Sequence, residues 1–193
     1  LQMTSGTILN ADKEIDFQSG YLEALTEAFD RAWYPAWFQI VARDEKDLKR
    51  IHDTGYTGAL HFNMEVWDDR MFNIICPGKA KLIGKEEWIR RAIQGVNIFG
   101  RGNILINFVA GVEMAQPWGF EDAKSAVKST LQGCDFLMEH DVLPRFDIWC
   151  VEHGSALRGH PSPPLEYYVE LAIGFQELLE KHNFHFPSPG RCR

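Results

Sequence analysis

Residues 103–109 read NILINFV, apolar at every position except the two asparagines, and this stretch decides the fold. Gly100-Arg101-Gly102 precedes it and Gly111 follows it closely. A short apolar run punctuated by glycines is the pattern of a strand covered on both faces, as strands of a parallel sheet are. Upstream, residues 85–99 read as a helix and 57–64 (TGALHFNM) as a strand. Before these, Asp44 caps a helix reading DEKDLKRIHDTG, with Asp47 at its third helical position and Gly55 ending it. Residues 36–42 (AWFQIVA) form a strand. Residues 16–31 are an amphipathic helix on the spacing of Tyr21, Leu22, Leu25, Ala28, Phe29 and Ala32, and residues 1–4 a short strand. Downstream come a helix at 120–140, a strand at 145–151 and a helix at 164–181, while Cys76-Pro77-Gly78-Lys79 falls in a loop.

Strands alternating with helices predict an α/β fold with a parallel sheet joined by right-handed crossovers. A complete eight-stranded barrel takes about 250 residues. A chain of 193 therefore reads as a single domain, a partial TIM-type (β/α) barrel of about five strands. The chain opens on Leu1 without an initiator methionine and closes on Arg193, so we expect a piece of a longer protein, cut at both ends.

Charge narrows the partners. With 27 acidic against 20 basic residues the net charge is −7, which argues against nucleic acid and against an anionic membrane surface. No apolar run approaches the roughly 20 residues of a spanning helix. The cysteines Cys76, Cys134, Cys150 and Cys192 match no zinc or cluster spacing, and a reducing cytoplasm is the expected compartment.

In parallel α/β folds chemistry collects at the carboxyl ends of strands. Side chains alternate between faces, so each end can be read by parity. His61, Asn63 and Glu65 share one face and Leu60, Phe62 and Met64 the other. The polar face also takes Gln2 and Thr4, then Gln39, Val41 and Arg43, then Asn107, Val109, Gly111 and Glu113. A packed barrel interior prefers Val, Ile and Leu, so this polar set suggests a wet, ligand-sized cavity. Asn63 and Glu65 either grip the vicinal hydroxyls of a ribose or cap the next helix. Thr4, Ser5, Gly6 and Thr7 form a turn whose backbone groups suit an ammonium or a carboxylate. Lys79 is either a cation for a carboxylate or a solvated loop lysine. Gly111 admits a flat ring to the backbone, with Phe108 and Val109 beside it. Cys150 near Glu152 and His153 invites a nucleophile, yet no base has a fixed place there. His182 and His185 lack a third metal ligand and read as a helix end.

The order of these elements resembles the radical S-adenosylmethionine (SAM) superfamily, in the branch of biotin synthase, the [FeFe]-hydrogenase maturase HydE and thiazole-pathway enzymes. LQMTSGT looks like that family's turn for the ligand's amino group, and HFNME like its ribose-binding strand. CPGKAKLIG falls where relatives place a basic residue on the ligand's carboxylate. NFVAGVE resembles the strand that packs on adenine, and FDIWCVEHGSAL followed by PSPPLEYY the sixth strand and its exit. The resemblance implies a (β/α)6 barrel binding SAM through Thr4, Ser5, Gly6, Thr7, Asn63, Glu65, Lys79, Phe108, Val109, Gly111 and Glu113. It implies Gln39, Arg43, Asn107, Asp147 and His153 toward a small-molecule substrate. It also implies an electron donor and a [4Fe–4S] cluster, whose reduction of SAM gives a 5′-deoxyadenosyl radical. The family's Cys-x3-Cys-x2-Cys loop is missing from the sequence, so the cluster ligands are expected outside this chain. Two other readings stand beside it: a binding module without turnover, and a non-radical lyase or aldolase using Lys79 or Glu113 as a base.

Overall fold

The computed structural model describes residues 2–4, 8, 10–29 and 36–184. Five strands form one sheet in the order β1-β2-β3-β4-β5, every neighbouring pair parallel. They are β1 (Gln2–Thr4), β2 (Trp37–Ile40), β3 (Ala59–Glu65), β4 (Ile104–Ala110) and β5 (Leu143–Ile148). The helices between them are α1 (Ala11–Ala28), α2 (Glu45–Asp53), α3 (Asp69–Ile75), α4 (Pro77–Leu82), α5 (Lys85–Phe99) and α6 (Ala123–Glu139), and α7 (Leu165–Lys181) follows β5. Sequential parallel strands joined by crossovers of one hand put the helices on one face. The sheet is open, as in a partial TIM-type barrel.

Local chemistry sets the element ends. Asn10, Asp44, Asp68 and Asp122 each accept a backbone N–H three residues on, capping α1, α2, α3 and α6. The Asn10 cap starts α1 earlier than its apolar spacing suggested. Lys79 is on a helix rather than a loop, because the Asp68 cap opens α3 and Pro77 then occupies the first turn of α4. β5 begins two residues ahead of the expected 145 and ends at Ile148, so Cys150 lies beyond it. Pro144 is tolerated there near the start of an edge strand.

One sheet face carries the main core. Leu60, Phe62, Met64, Ile104, Ile106 and Phe108 are fully buried and cluster with Trp88 and Ala92 of α5 and Leu137 of α6. Gly133 of α6 lies against Trp67, where a Cβ would come within 2.3 Å of the indole. A second cluster joins Leu105, Leu143, Leu179 and Phe184 near the strands' amino ends. Between α1 and α2 the core contains charge: Arg43 meets Glu14 at 2.8 Å, with side chains only 5% and 4% exposed. Arg43 also donates to Asp47 Oδ2, Gln18 Oε1 and the Ala11 carbonyl.

Removing one member of a buried ion pair strands the other charge, at a cost of roughly 3–5 kcal/mol. Arg43→Met should lower the urea-unfolding free energy by about that much. Pairing it with Glu14→Leu should restore most of the loss.

Candidate functional site

The pairing of β3 with β4 places Asn63 opposite Asn107, and beyond Asn63 the register slips so that Glu65 meets Phe108. Glu65 takes a positive φ of 75°, a conformation that costs a non-glycine residue roughly 1–3 kcal/mol. Lys79 reaches back from α4 to this spot. Its Nζ donates to Glu65 Oε1 and to the Asn63 carbonyl, each at 2.5 Å. Asn63, Glu65 and Lys79, three of the residues expected to hold a cofactor, thus form one polar cluster at the carboxyl end of β3.

Two cavities flank the cluster. A narrow one of about 100 Å³ is lined by Thr4, Gln39, Asn63, Lys79 and Trp88. A wider one of about 370 Å³ is lined by Glu65, Ile75, Val109, Val112, Trp118 and Trp149. The first is polar at its mouth; the second offers aromatic and aliphatic walls. Among the described residues, the carboxamide oxygens of Asn63 and Asn107 are buried without a hydrogen-bond partner, as is the Trp88 indole N–H. Buried polar atoms in folded proteins nearly always find a partner, so these three leave hydrogen-bonding capacity unused at this end of the sheet. Asn107 donates to Asp147 Oδ2 at 2.7 Å, joining two of the expected substrate-side residues.

Other expected residues lie elsewhere. Ser5, Gly6 and Thr7, like His185 and Cys192, fall outside the described residues. Glu113 is not on the open face. The left-handed turn at Gly111 (φ 103°) breaks strand parity and swings Glu113 into the helix layer. There it accepts from the Gly111 N–H, Thr130 Oγ1 and the Tyr167 hydroxyl. Burial pushes its carboxyl pKa up, against the pull of these donors. Gly111 is crowded by its own chain: an added Cβ would lie 2.5 Å from Pro163. Phe108 packs with the helix-side core, leaving Val109 alone of that pair on a cavity wall. Arg43 is committed to Glu14 rather than turned toward a ligand. His153 is exposed in the turn after β5.

A lyase base is poorly served by this arrangement. Glu113 lies among helices, and the Lys79 amino group is engaged by a carboxylate and a carbonyl. Among the described residues no group of His, Cys, Asp and Glu is placed to hold a metal. Burial pushes the Cys76 thiol up to about 11 and the Cys134 thiol well above its ordinary value, so neither is poised as a thiolate. Cys150 is exposed and alone.

Parity on β2 and β5 adds two residues to the face that already carries His61. His61, Trp37 and Arg145 precede Asn63, Gln39 and Asp147 by two residues and share the open face. Trp37 stacks on His61 with ring centroids 5.3 Å apart, and the Arg145 guanidinium lies 4.0 Å over Trp37. His61 is 1% exposed, and its Nδ1 has no partner. Burial, aided by the Arg145 charge and opposed by Asp147, lowers its pKa to about 4. The alternation that singled out Asn63 already placed His61 on this face, and the same count on β2 and β5 adds Trp37 and Arg145.

No family model matches the chain. It is similar to a bacteriochlorophyllide c C-7(1)-hydroxylase of Chlorobaculum limnaeum, 25% identical over 146 residues, or 76% of this chain. The match spans 33% of that relative's length. This distant likeness suggests a radical SAM relationship and singles out no branch. No described helix is long and apolar enough to cross a membrane.

A buried histidine with a lowered pKa stays neutral in the fold but gains a proton on unfolding. Its contribution is therefore complete above the ordinary value near 6.5 and drains away as pH falls toward 4. Urea unfolding at pH 7 and pH 4 should show His61→Gln losing about 3 kcal/mol less stability than the parent over that interval.

Proposed function

We propose that this chain is the SAM- and substrate-holding part of a radical SAM enzyme acting on a small molecule, with the [4Fe–4S] ligands contributed outside it. The observation that carries the reading is the Asn63–Glu65–Lys79 cluster between a polar cavity and an aromatic one. An adenosyl amino acid has the matching order of parts: a charged end, a central diol and a flat apolar base. Asn63 and Glu65 would take the ribose hydroxyls, the amide oxygen gaining the partner it lacks. Lys79 would take the carboxylate, with Thr4 toward the ammonium. Val109, Trp118 and Trp149 would wall the adenine, with Trp149 already buried. Gln39, Asn107 and Asp147 would face the substrate. When bound, the cofactor supplies hydrogen abstraction through its 5′-deoxyadenosyl group after one-electron reduction by the cluster. This chain's part is to bind, orient and exclude water. The hydroxylase name of the relative is compatible with activation of a C–H bond.

The test is anaerobic reconstitution of the full-length protein with iron and sulfide. It should turn brown and, with dithionite, release 5′-deoxyadenosine from SAM. Asn63→Ala should weaken SAM binding at least tenfold, about 1.4 kcal/mol. A protein that stays colourless and forms no 5′-deoxyadenosine overturns the radical reading. If it still binds SAM, it is the module without turnover. Unchanged affinity in Asn63→Ala removes the ribose assignment.

A further inference from the structure

The open face contains a third cavity, nearer the amino ends of the strands, of about 490 Å³. Its walls are Trp37, Ala59, His61, Leu105, Leu143 and Arg145, and it runs on to Phe146 and Phe175 at the edge of the sheet. The volume is that of a small-molecule pocket, and the lining is apolar apart from Asn103, whose side-chain amide donates to the Phe99 carbonyl, and two further places. One is Arg145. Among the described residues it makes no hydrogen bond and no ion pair, and its guanidinium lies instead over the Trp37 ring at 4.0 Å. The other is His61, nine-tenths and more buried, with Nδ1 unpartnered.

We infer that this cavity seats an apolar small molecule bearing one carboxylate, which the Arg145 guanidinium binds while His61 meets a polar atom on its body. A guanidinium fork matches a carboxylate in two parallel bonds, and stacking on Trp37 fixes the fork in advance. One unpaired positive charge suits a monoanion better than a phosphate dianion, since no second cation lines the cavity. Neither carboxylate of this face lines the cavity: Asp147, two residues along the same strand, is engaged by Asn107, and Glu65 by Lys79. A cationic ligand would meet Arg145 unfavourably, and a neutral one would leave it unused. Calling the occupant a substrate rests on the proposed function. On that reading the cavity lies beside the cofactor cluster, because His61 precedes Asn63 on β3 and Arg145 pairs with Asn107 across β4 and β5.

Titration calorimetry on the full-length protein with 4-phenylbutyrate, 4-phenylbutanol, 4-phenylbutylamine and 4-phenylbutyl phosphate tests this. The carboxylate should bind at least tenfold more tightly than the alcohol, and the amine more weakly than both. Arg145→Met should erase the carboxylate's advantage and leave the alcohol's affinity in place. Arg145→Lys should keep part of it, which shows that the fold survives change at this position. Equal affinities for carboxylate and alcohol, a preference for the phosphate, or an advantage that persists in Arg145→Met would overturn the inference. SAM affinity measured on the same samples separates the two proposals. Carboxylate preference without SAM binding sinks the cofactor assignment alone, whereas SAM binding without carboxylate preference sinks this one alone.

Discussion

The ladder between β3 and β4 determines which chemistry faces which way. Leu60 lies opposite Ile104 and Phe62 opposite Ile106, and both pairs bury themselves under the helices. The residues between them are obliged to point the other way: His61 beside Leu105, and Asn63 beside Asn107. Slipping β3 by one residue would drive an imidazole and an amide into the core and expose the aromatic and aliphatic residues that stabilise it. Because that exchange is so unfavourable, the polar face is a consequence of how the apolar face packs. The same logic reaches β5 through Asn107 and Arg145.

The places where alternation fails are the places where sequence reasoning went astray. Parity predicted Glu113 on the open face, and it would be there if β4 ran on past Ala110. Gly111 turns the backbone into the left-handed region instead, and the carboxyl is drawn among Thr130 and Tyr167. Those two partners come from α6 and α7, 17 and 54 residues away in sequence, so no local pattern announces them. Arg43 tells the same story. Read as the end of β2, it promised a ligand contact, but its partner Glu14 sits on α1, a helix whose charged buried face looks solvated on paper.

Much of the rest was legible for definite reasons. The strands followed from apolar runs punctuated by glycine, and the start of α2 from its Asp44 cap. Asn63 and Glu65 were recognisable because a single strand carries both. Their union with Lys79 was only partly so, because it depends on the Asp68 cap and Pro77 turning an apparent loop into two short helices. The Trp37–His61–Arg145 stack was hidden for a different reason. Each member looks ordinary on its own strand, and only three-dimensional register brings them into contact.

The ion pair between Lys79 and Glu65 has one more consequence. Whatever settles on this cluster must take both charges away from each other. On the proposed reading, a zwitterionic ligand supplies a fresh partner for the lysine while its hydroxyls occupy the carboxylate. Plain adenosine would claim Glu65 and leave the lysine only the Asn63 carbonyl. On that reading the latch would act as a sieve against the bare nucleoside that shares most of the cofactor's surface.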